Sequence, residues 1–258
     1  MVDLQAEVKK KAGKDSVKTM TERLLDEYFA GNAAARADAE ARLQNGEPLA
    51  YILGETVFFD EYYCVTPDVL IPRPDTERVV EQVLRRLHPG GRLLDLCCGS
   101  GCIAISSLCH SKDTTALLVD ISAPALEIAK KNAARNGVLD RCAFLCADLR
   151  AFSCNEKFDV IASNPPYVRT SVIDTLEREC SYEPRIAFDG GGDGMDFYRL
   201  LLDLCPPLLS DGGKLVFEIG YDQRADITAL CAEKGLALEI YKDYGKNDRV
   251  AVIDCKKV

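Results

Sequence analysis

Residues 93–105 read LLDLCCGSGCIAI, and their interpretation decides the fold. An apolar strand runs into a glycine-containing turn that opens an apolar helix, which is the pattern of a strand–turn–helix unit over a ligand site. Gly99 and Gly101 let the backbone approach a bound molecule. A second strand, LLVDIS at 117–122, ends on Asp120, 19 residues after Gly101, where a carboxylate can take the two hydroxyls of a ribose. Both features stand at the carboxyl ends of strands, where open α/β sheets bind ligands.

Outward from this unit, strand and helix alternate as far as the C-terminus. Periodicity places strands at 92–96, 116–120, 143–146, 159–163, 214–218, 236–241 and 250–254, and helices at about 77–87, 101–110, 123–136, 195–208 and 222–234. Such alternation predicts an α/β domain over residues 77–258 with a seven-stranded, mostly parallel sheet covered on both faces. Residues 1–50 form a charged, Ala-rich helical segment, with Met20, Leu24, Leu25, Tyr28 and Phe29 at helical spacing. Its first 15 residues have the composition of a disordered segment. Residues 51–76 read as a β-hairpin linker, with short strands at 56–59 and 62–65 about a turn at Asp60-Glu61.

The chain has 258 residues, 47% of them hydrophobic, so it can bury a substantial core. A net charge of −9 and a pI near 4.9 argue against direct nucleic-acid binding by phosphate attraction. The N-terminus lacks the apolar core of a signal peptide, and no apolar run approaches a membrane span; these features predict a cytoplasmic protein with no membrane contact. Twelve cysteines and two histidines, with no C-x-x-C pair, predict no metal site. Cys98-x3-Cys102 and Cys142-x3-Cys146 sit in or beside apolar segments, where cysteine packs as a small hydrophobe.

Gly99-Ser100-Gly101-Cys102-Ile103-Ala104 also satisfies the dinucleotide pattern G-x-G-x-x-[GA], so that pattern leaves a nicotinamide cofactor open. Asp95, four residues before Gly99, favours S-adenosylmethionine, whose sulfonium-bearing amino acid carries a positive charge that a pyrophosphate lacks. The same carboxylate also suits a cap on the turn. In CADL (146–149), Asp148 follows the third strand, where a short carboxylate can accept from an adenine amine; an ordinary turn has the same signature.

The fourth strand runs directly into Asn164-Pro165-Pro166-Tyr167. Proline fixes φ and removes a donor, so this turn holds a backbone carbonyl in a rigid pose. The Asn164 side-chain oxygen and the Pro165 carbonyl can each accept one hydrogen of a planar NH2 group, while Tyr167 offers a ring face. Amide and aromatic amine nitrogens are poor nucleophiles, so positioning and acceptor bonds must supply most of the acceleration.

Taken with the cofactor loop and VDIS, NPPY resembles class I S-adenosylmethionine-dependent methyltransferases acting on a planar nitrogen. GEPLAYILGETVFFD (46–60), VLIPRPDTE (69–77), YEPRIAFDGGGDGMDFYR (182–199), FEIGYDQ (217–223) and DYGKNDRVAVI (243–253) narrow the resemblance to the release factor glutamine methyltransferases, the PrmC/HemK family. That resemblance, over residues 46–258, implies a Rossmann-like methyltransferase fold. It implies methyl transfer from S-adenosylmethionine to the N5 amide of the glutamine in the Gly-Gly-Gln motif of peptide chain release factors. It further implies that Asn164, Pro165, Pro166 and Tyr167 grip the amide, and that Asp95, Gly99, Gly101, Asp120, Ile121, Asp148, Leu149 and Asn164 hold the cofactor. Arg73, Pro74, Thr76 and Glu77 border the substrate pocket on the same basis. A ribosomal-protein glutamine methyltransferase shares much of the pattern. An adenine-N6 nucleic-acid methyltransferase needs a basic groove or a target-recognition segment, and this chain shows neither.

Two departures from the family pattern stand out. Cys97 occupies a position where the glycine-rich loop has glycine, which costs strain if φ there is positive. The helical segment ahead of GEP, through which the family engages its partner, reads as short.

Overall fold

The computed structural model describes residues 14–255. The disorder expected of the first 15 residues lies outside that range, apart from residues 14 and 15, which begin a helix. Among the described residues three helices come first: α1 (Lys14–Tyr28), α2 (Ala33–Gln44) and α3 (Leu49–Leu53). Asn32 starts α2 by accepting the Ala35 N–H at 3.1 Å, a side-chain N-cap. The helices close over a small core of Leu25, Ala39, Leu49 and Ile52. α3 runs across residue 50 and leads into strands β1 (Glu55–Phe58) and β2 (Glu61–Cys64), an antiparallel hairpin.

The turn of this hairpin is Phe59-Asp60, one residue earlier than the sequence suggested. Both residues have positive φ, 51° and 72°, as the favoured two-residue hairpin turn requires. The hairpin is docked rather than loose. Tyr63, fully buried, meets Ser106 Oγ at 2.6 Å, and Asn132 Oδ1 accepts the Cys64 N–H at 2.7 Å. Asn132 Nδ2 donates back to the Cys64 carbonyl at 3.1 Å and to the Ser100 carbonyl at 2.9 Å, which ties the hairpin to the glycine loop.

From Glu77 onward the order is α4 (Glu77–Leu84), β3 (Arg92–Leu96), α5 (Cys102–His110), β4 (Thr115–Asp120), α6 (Ala123–Arg135), β5 (Cys142–Cys146), β6 (Phe158–Ser163), α7 (Asp196–Leu204), β7 (Leu209–Glu218), α8 (Arg224–Glu233), β8 (Ala237–Lys242) and β9 (Asp248–Asp254). The sheet order is β5-β4-β3-β6-β7-β9-β8, with only β9 running antiparallel to its neighbours. Alternation along β3 divides the core. Leu93 packs toward α4, α5 and α6 with Val79, Val83, Ile103 and Leu126, whereas Leu94 and Leu96 pack toward α7 and α8 with Tyr198, Leu201 and Ile227. The expected helix over 195–208 stops at Leu204, because Pro206 and Pro207 cannot continue it and instead form a 3-10 turn. β7 starts at Leu209, five residues early, by pairing with Phe158 across a register shift. Cysteines 98, 102, 205 and 231 are buried as small hydrophobes, but Cys146 is exposed at the edge strand, contrary to the packing role read for it.

Strand order reverses at β3: the chain moves to β4 on one side and later to β6 on the other. This is the switch point at which open α/β sheets form a crevice, and the loops after β3, β4 and β6 all open there. Asn132→Ala strips three hydrogen bonds from buried backbone groups and is expected to lower unfolding free energy by about 2–4 kcal/mol. Denaturant titration checks this; a loss under about 0.5 kcal/mol would show that the hairpin does not lean on Asn132.

Candidate active site

A cavity of about 610 Å³ occupies the crevice, lined by the loops after β3, β4, β5 and β6 and by residues 68–76. Cys97, Gly99, Asp120, Ile121, Asp148, Leu149, Asn164, Pro166, Arg73 and Thr76 line it, so residues 88 positions apart in sequence share one wall.

The glycine loop is shaped by left-handed backbone. Cys97, Gly99 and Gly101 have φ of 57°, 52° and 80°. For cysteine this conformation costs about 1 kcal/mol, the strain foreseen at the departure from glycine. A Cβ on Gly99 would meet nothing within 4 Å, leaving its backbone open to the cavity, whereas one on Gly101 would come within 2.8 Å of Ile105 Cδ1. Gly101 thus serves close packing of α5 on the sheet, beneath the cavity wall.

Asp120 ends β4 with its carboxylate already oriented, since Oδ2 accepts the Gly99 N–H at 2.8 Å and Oδ1 the Ser122 N–H at 2.9 Å. Burial raises its carboxyl above the ordinary value, and these backbone bonds oppose that shift. Ile121 beside it is 46% exposed yet lines the cavity, an apolar surface suited to a planar base, and Leu149 faces the same space. Asp148 Oδ1 accepts the Arg150 N–H at 2.9 Å, which sets its carboxylate within its own turn.

The structure places Asp95 under the loop rather than on the cavity wall. Asp95 is fully buried on β3, and Oδ2 accepts the Ala104 N–H of α5 at 3.1 Å, while Oδ1 has no hydrogen-bond partner among the described residues. Burial, foremost, pushes its carboxyl from 3.8 up to about 8. Its place beneath the loop, off the cavity wall, departs from the direct approach to a cationic cofactor read from the sequence.

Asn164 and Thr76 meet at the far wall: Asn164 Nδ2 donates to Thr76 Oγ1 at 3.1 Å. Among the described residues no hydrogen bond ends on Asn164 Oδ1 or on the Pro165 carbonyl. Pro165 and Tyr167 do not line the cavity. The Tyr167 ring, read as a stacking face, instead sends its OH to Glu218 Oε1 at 2.9 Å. Pro74 and Glu77 also stand off the wall, and Glu77 Oε1 accepts the Phe59 N–H at 3.1 Å, serving the strained hairpin turn.

Several residues around the site carry roles the sequence reading missed. Glu218 at the end of β7 is 2% exposed and accepts hydroxyls from both Thr76 and Tyr167. Glu183 is buried and holds residues 71–73 by accepting the Ile71 N–H at 3.0 Å and pairing with Arg73. The GGGDG run at 190–194 is packed. Gly190 and Gly194 pack against the backbone of Tyr167, where an added Cβ would approach to 2.6 Å, and Gly190 N donates to the Val168 carbonyl at 2.9 Å. Gln223 Nε2 donates to the Tyr167 carbonyl at 3.1 Å from the other side.

The methyltransferase small domain family matches residues 76–178. A release factor glutamine methyltransferase of Neisseria gonorrhoeae is 40% identical over 220 residues, covering 84% of this chain and 80% of the relative. Another from Caulobacter vibrioides is 38% identical over 241 residues, covering 91% and 83%. The chain belongs to the release factor glutamine methyltransferase family. A solved methyltransferase of Pyrococcus furiosus is similar in fold, with a TM-score of 0.58, 19% identity, and coverage of 84% of this chain and 97% of that one. The family uses S-adenosylmethionine, and the residues present fit it: an oriented carboxylate at the β4 tip, an apolar wall beside it, and an open glycine backbone.

The Asp95 carboxyl sets a pH test. Between the ordinary aspartate pKa and about 8 the folded chain keeps this proton and the unfolded chain has lost it, so stability from this group falls as pH rises. Asp95→Asn removes the dependence, and its stability relative to the native chain is expected to rise from about pH 5 to about pH 8 and to level off above it. A constant difference across paired denaturation curves would show that Asp95 is ionised throughout.

Proposed function

We propose that this protein transfers a methyl group from S-adenosylmethionine to the N5 amide of the glutamine in the Gly-Gly-Gln motif of a peptide chain release factor, with Asn164 and the Pro165 carbonyl as the amide clamp. The observation that carries the reading is that Asp120 and Asn164, ending β4 and β6, line one cavity. Among the described residues neither Asn164 Oδ1 nor the Pro165 carbonyl accepts a hydrogen bond, which matches the two hydrogens of a primary amide.

The cofactor supplies an electrophilic methyl group. Asp120 would hold the ribose hydroxyls, Ile121 and Leu149 would give the adenine an apolar wall with Asp148 as an acceptor for its amine, and the open Gly99 backbone would admit the amino-acid portion. Asn164 Oδ1 and the Pro165 carbonyl each accept one amide hydrogen, which orients the nitrogen and favours the positive charge that develops on it. The stiff Pro165-Pro166 turn limits the reorganisation this requires. Arg73 and Thr76 border the substrate side of the cavity. In this scheme residues 77–258 form the methyltransferase domain, residues 51–76 the hairpin linker, and residues 1–50 the segment that engages the release factor in the cytoplasm. The net charge of −9 favours a protein substrate over direct nucleic-acid binding.

Asn164→Ala is expected to cut turnover by about 10²–10³-fold while cofactor affinity is kept, because it removes an acceptor at the reacting nitrogen. Asp120→Ala is expected to weaken cofactor binding by at least about tenfold through loss of a charge-assisted contact. Calorimetry with S-adenosylhomocysteine and intact-mass analysis of a release factor separate the two effects. Equal loss of cofactor affinity in Asn164→Ala would remove Asn164 from the clamp, and an unmethylated release factor with the native enzyme would overturn the substrate.

A further inference from the structure

The hydrogen bonds behind Asn164 have a direction. Glu218 accepts from Thr76 Oγ1 at 2.5 Å and from the Tyr167 OH at 2.9 Å. A hydroxyl has one hydrogen to give. Once Thr76 gives it to Glu218, the Thr76 oxygen can only accept, so the Asn164 amide 3.1 Å away must turn its NH2 toward it. The Asn164 oxygen is then the end left for a substrate.

We infer that Glu218 is a positioning residue that fixes which end of the Asn164 amide meets the substrate nitrogen, acting through Thr76. This rests on the reading of Asn164 as an amide clamp. The carboxylate is well placed to act as a pure acceptor. It is buried at the carboxyl edge of the sheet, where burial raises its carboxyl above the ordinary value; the Thr76 and Tyr167 hydroxyls and the Arg249 guanidinium, itself held by Asp243 at 3.2 Å and Asp75 at 3.4 Å, oppose that shift, and both hydroxyls point at its oxygens as donors. Tyr167 takes the second oxygen, and its backbone is pinned by Gln223 and by the Gly190 and Gly194 approaches, so neither hydroxyl can easily swap partners.

A neutral isostere reverses the direction. Gln offers one acceptor and one donor group. If the donor faced Tyr167, that phenol's hydrogen would be left buried without a partner, which is costly. With the donor facing Thr76 instead, Tyr167 keeps its acceptor and Thr76 hands its own hydrogen to Asn164. Asn164 then presents Oδ1 to Thr76 and NH2 to the cavity, setting a donor against the donors of the substrate amide.

The test combines kinetics and side-chain amide exchange on the full chain. Glu218→Gln is expected to lower kcat by about 10²-fold, with S-adenosylhomocysteine affinity within about twofold of native. In a Thr76→Val background the same change is expected to cost less than about threefold, since the relay is already cut. The Asn164 side-chain NH2, assigned by its loss in Asn164→Asp, is expected to exchange with water about tenfold faster in Glu218→Gln than in the native protein. An undiminished cost of Glu218→Gln in the Thr76→Val background, or unchanged exchange at Asn164, would overturn the relay. If the native enzyme fails to methylate a release factor, the substrate reading fails and the exchange measurement decides the relay by itself.

Discussion

The reversal of strand order at β3 is the constraint on which the rest of the molecule depends. Parallel strands send all their carboxyl ends to one edge, and the reversal pulls the loops after β3 and β6 apart, leaving a crevice between them. The loops that follow the strands line that gap with the left-handed glycine loop, Asp120, Asp148 and Asn164. The core serves this arrangement by being buried on both faces of the sheet, so that β3 keeps Leu93, Leu94 and Leu96 all fully enclosed.

The crevice needs its far wall tied down, and that is done by long-range polar contacts rather than by apolar packing. Glu183 holds residues 71–73, Asn132 holds the hairpin to the glycine loop, and Glu218 joins Thr76 to Tyr167 across 91 positions of sequence. Each is a buried polar group with its partners satisfied, the condition under which such groups specify a unique arrangement. Strain is admitted where the loop must open to a ligand, at Cys97, and at the hairpin turn, where the Glu77 carboxylate partners Phe59.

Much of this was legible in the sequence because it follows from local pattern. The strand–glycine–helix unit, the alternation after Glu77, Asp120 at a strand tip and the Asn-Pro-Pro-Tyr turn all follow from periodicity and turn chemistry. What escaped was set by tertiary distance. The place of Asp95 under the loop follows from β-strand alternation, which turns its side chain toward α5; the upward push on its carboxyl follows from burial, which no motif reveals. Tyr167 carries the same motif whether it stacks on a substrate or bonds to Glu218, and only the position of β7 decides. Glu218 did leave a signal, a lone carboxylate ending the apolar run LVFE at the ligand edge of the sheet. The role of the glycines at 190 and 194 has no local signature, because its reason, the Tyr167 backbone, lies more than 20 residues away.

The most direct measurement of the central claim is a crystal structure of the enzyme with S-adenosylhomocysteine and a glutamine-containing peptide from a release factor. The account predicts the ribose hydroxyls on Asp120 and the glutamine NH2 held between Asn164 Oδ1 and the Pro165 carbonyl, with Asn164 Nδ2 still on Thr76. A glutamine side chain bound away from Asn164, or an Asn164 amide that turns its NH2 toward the substrate, would contradict it.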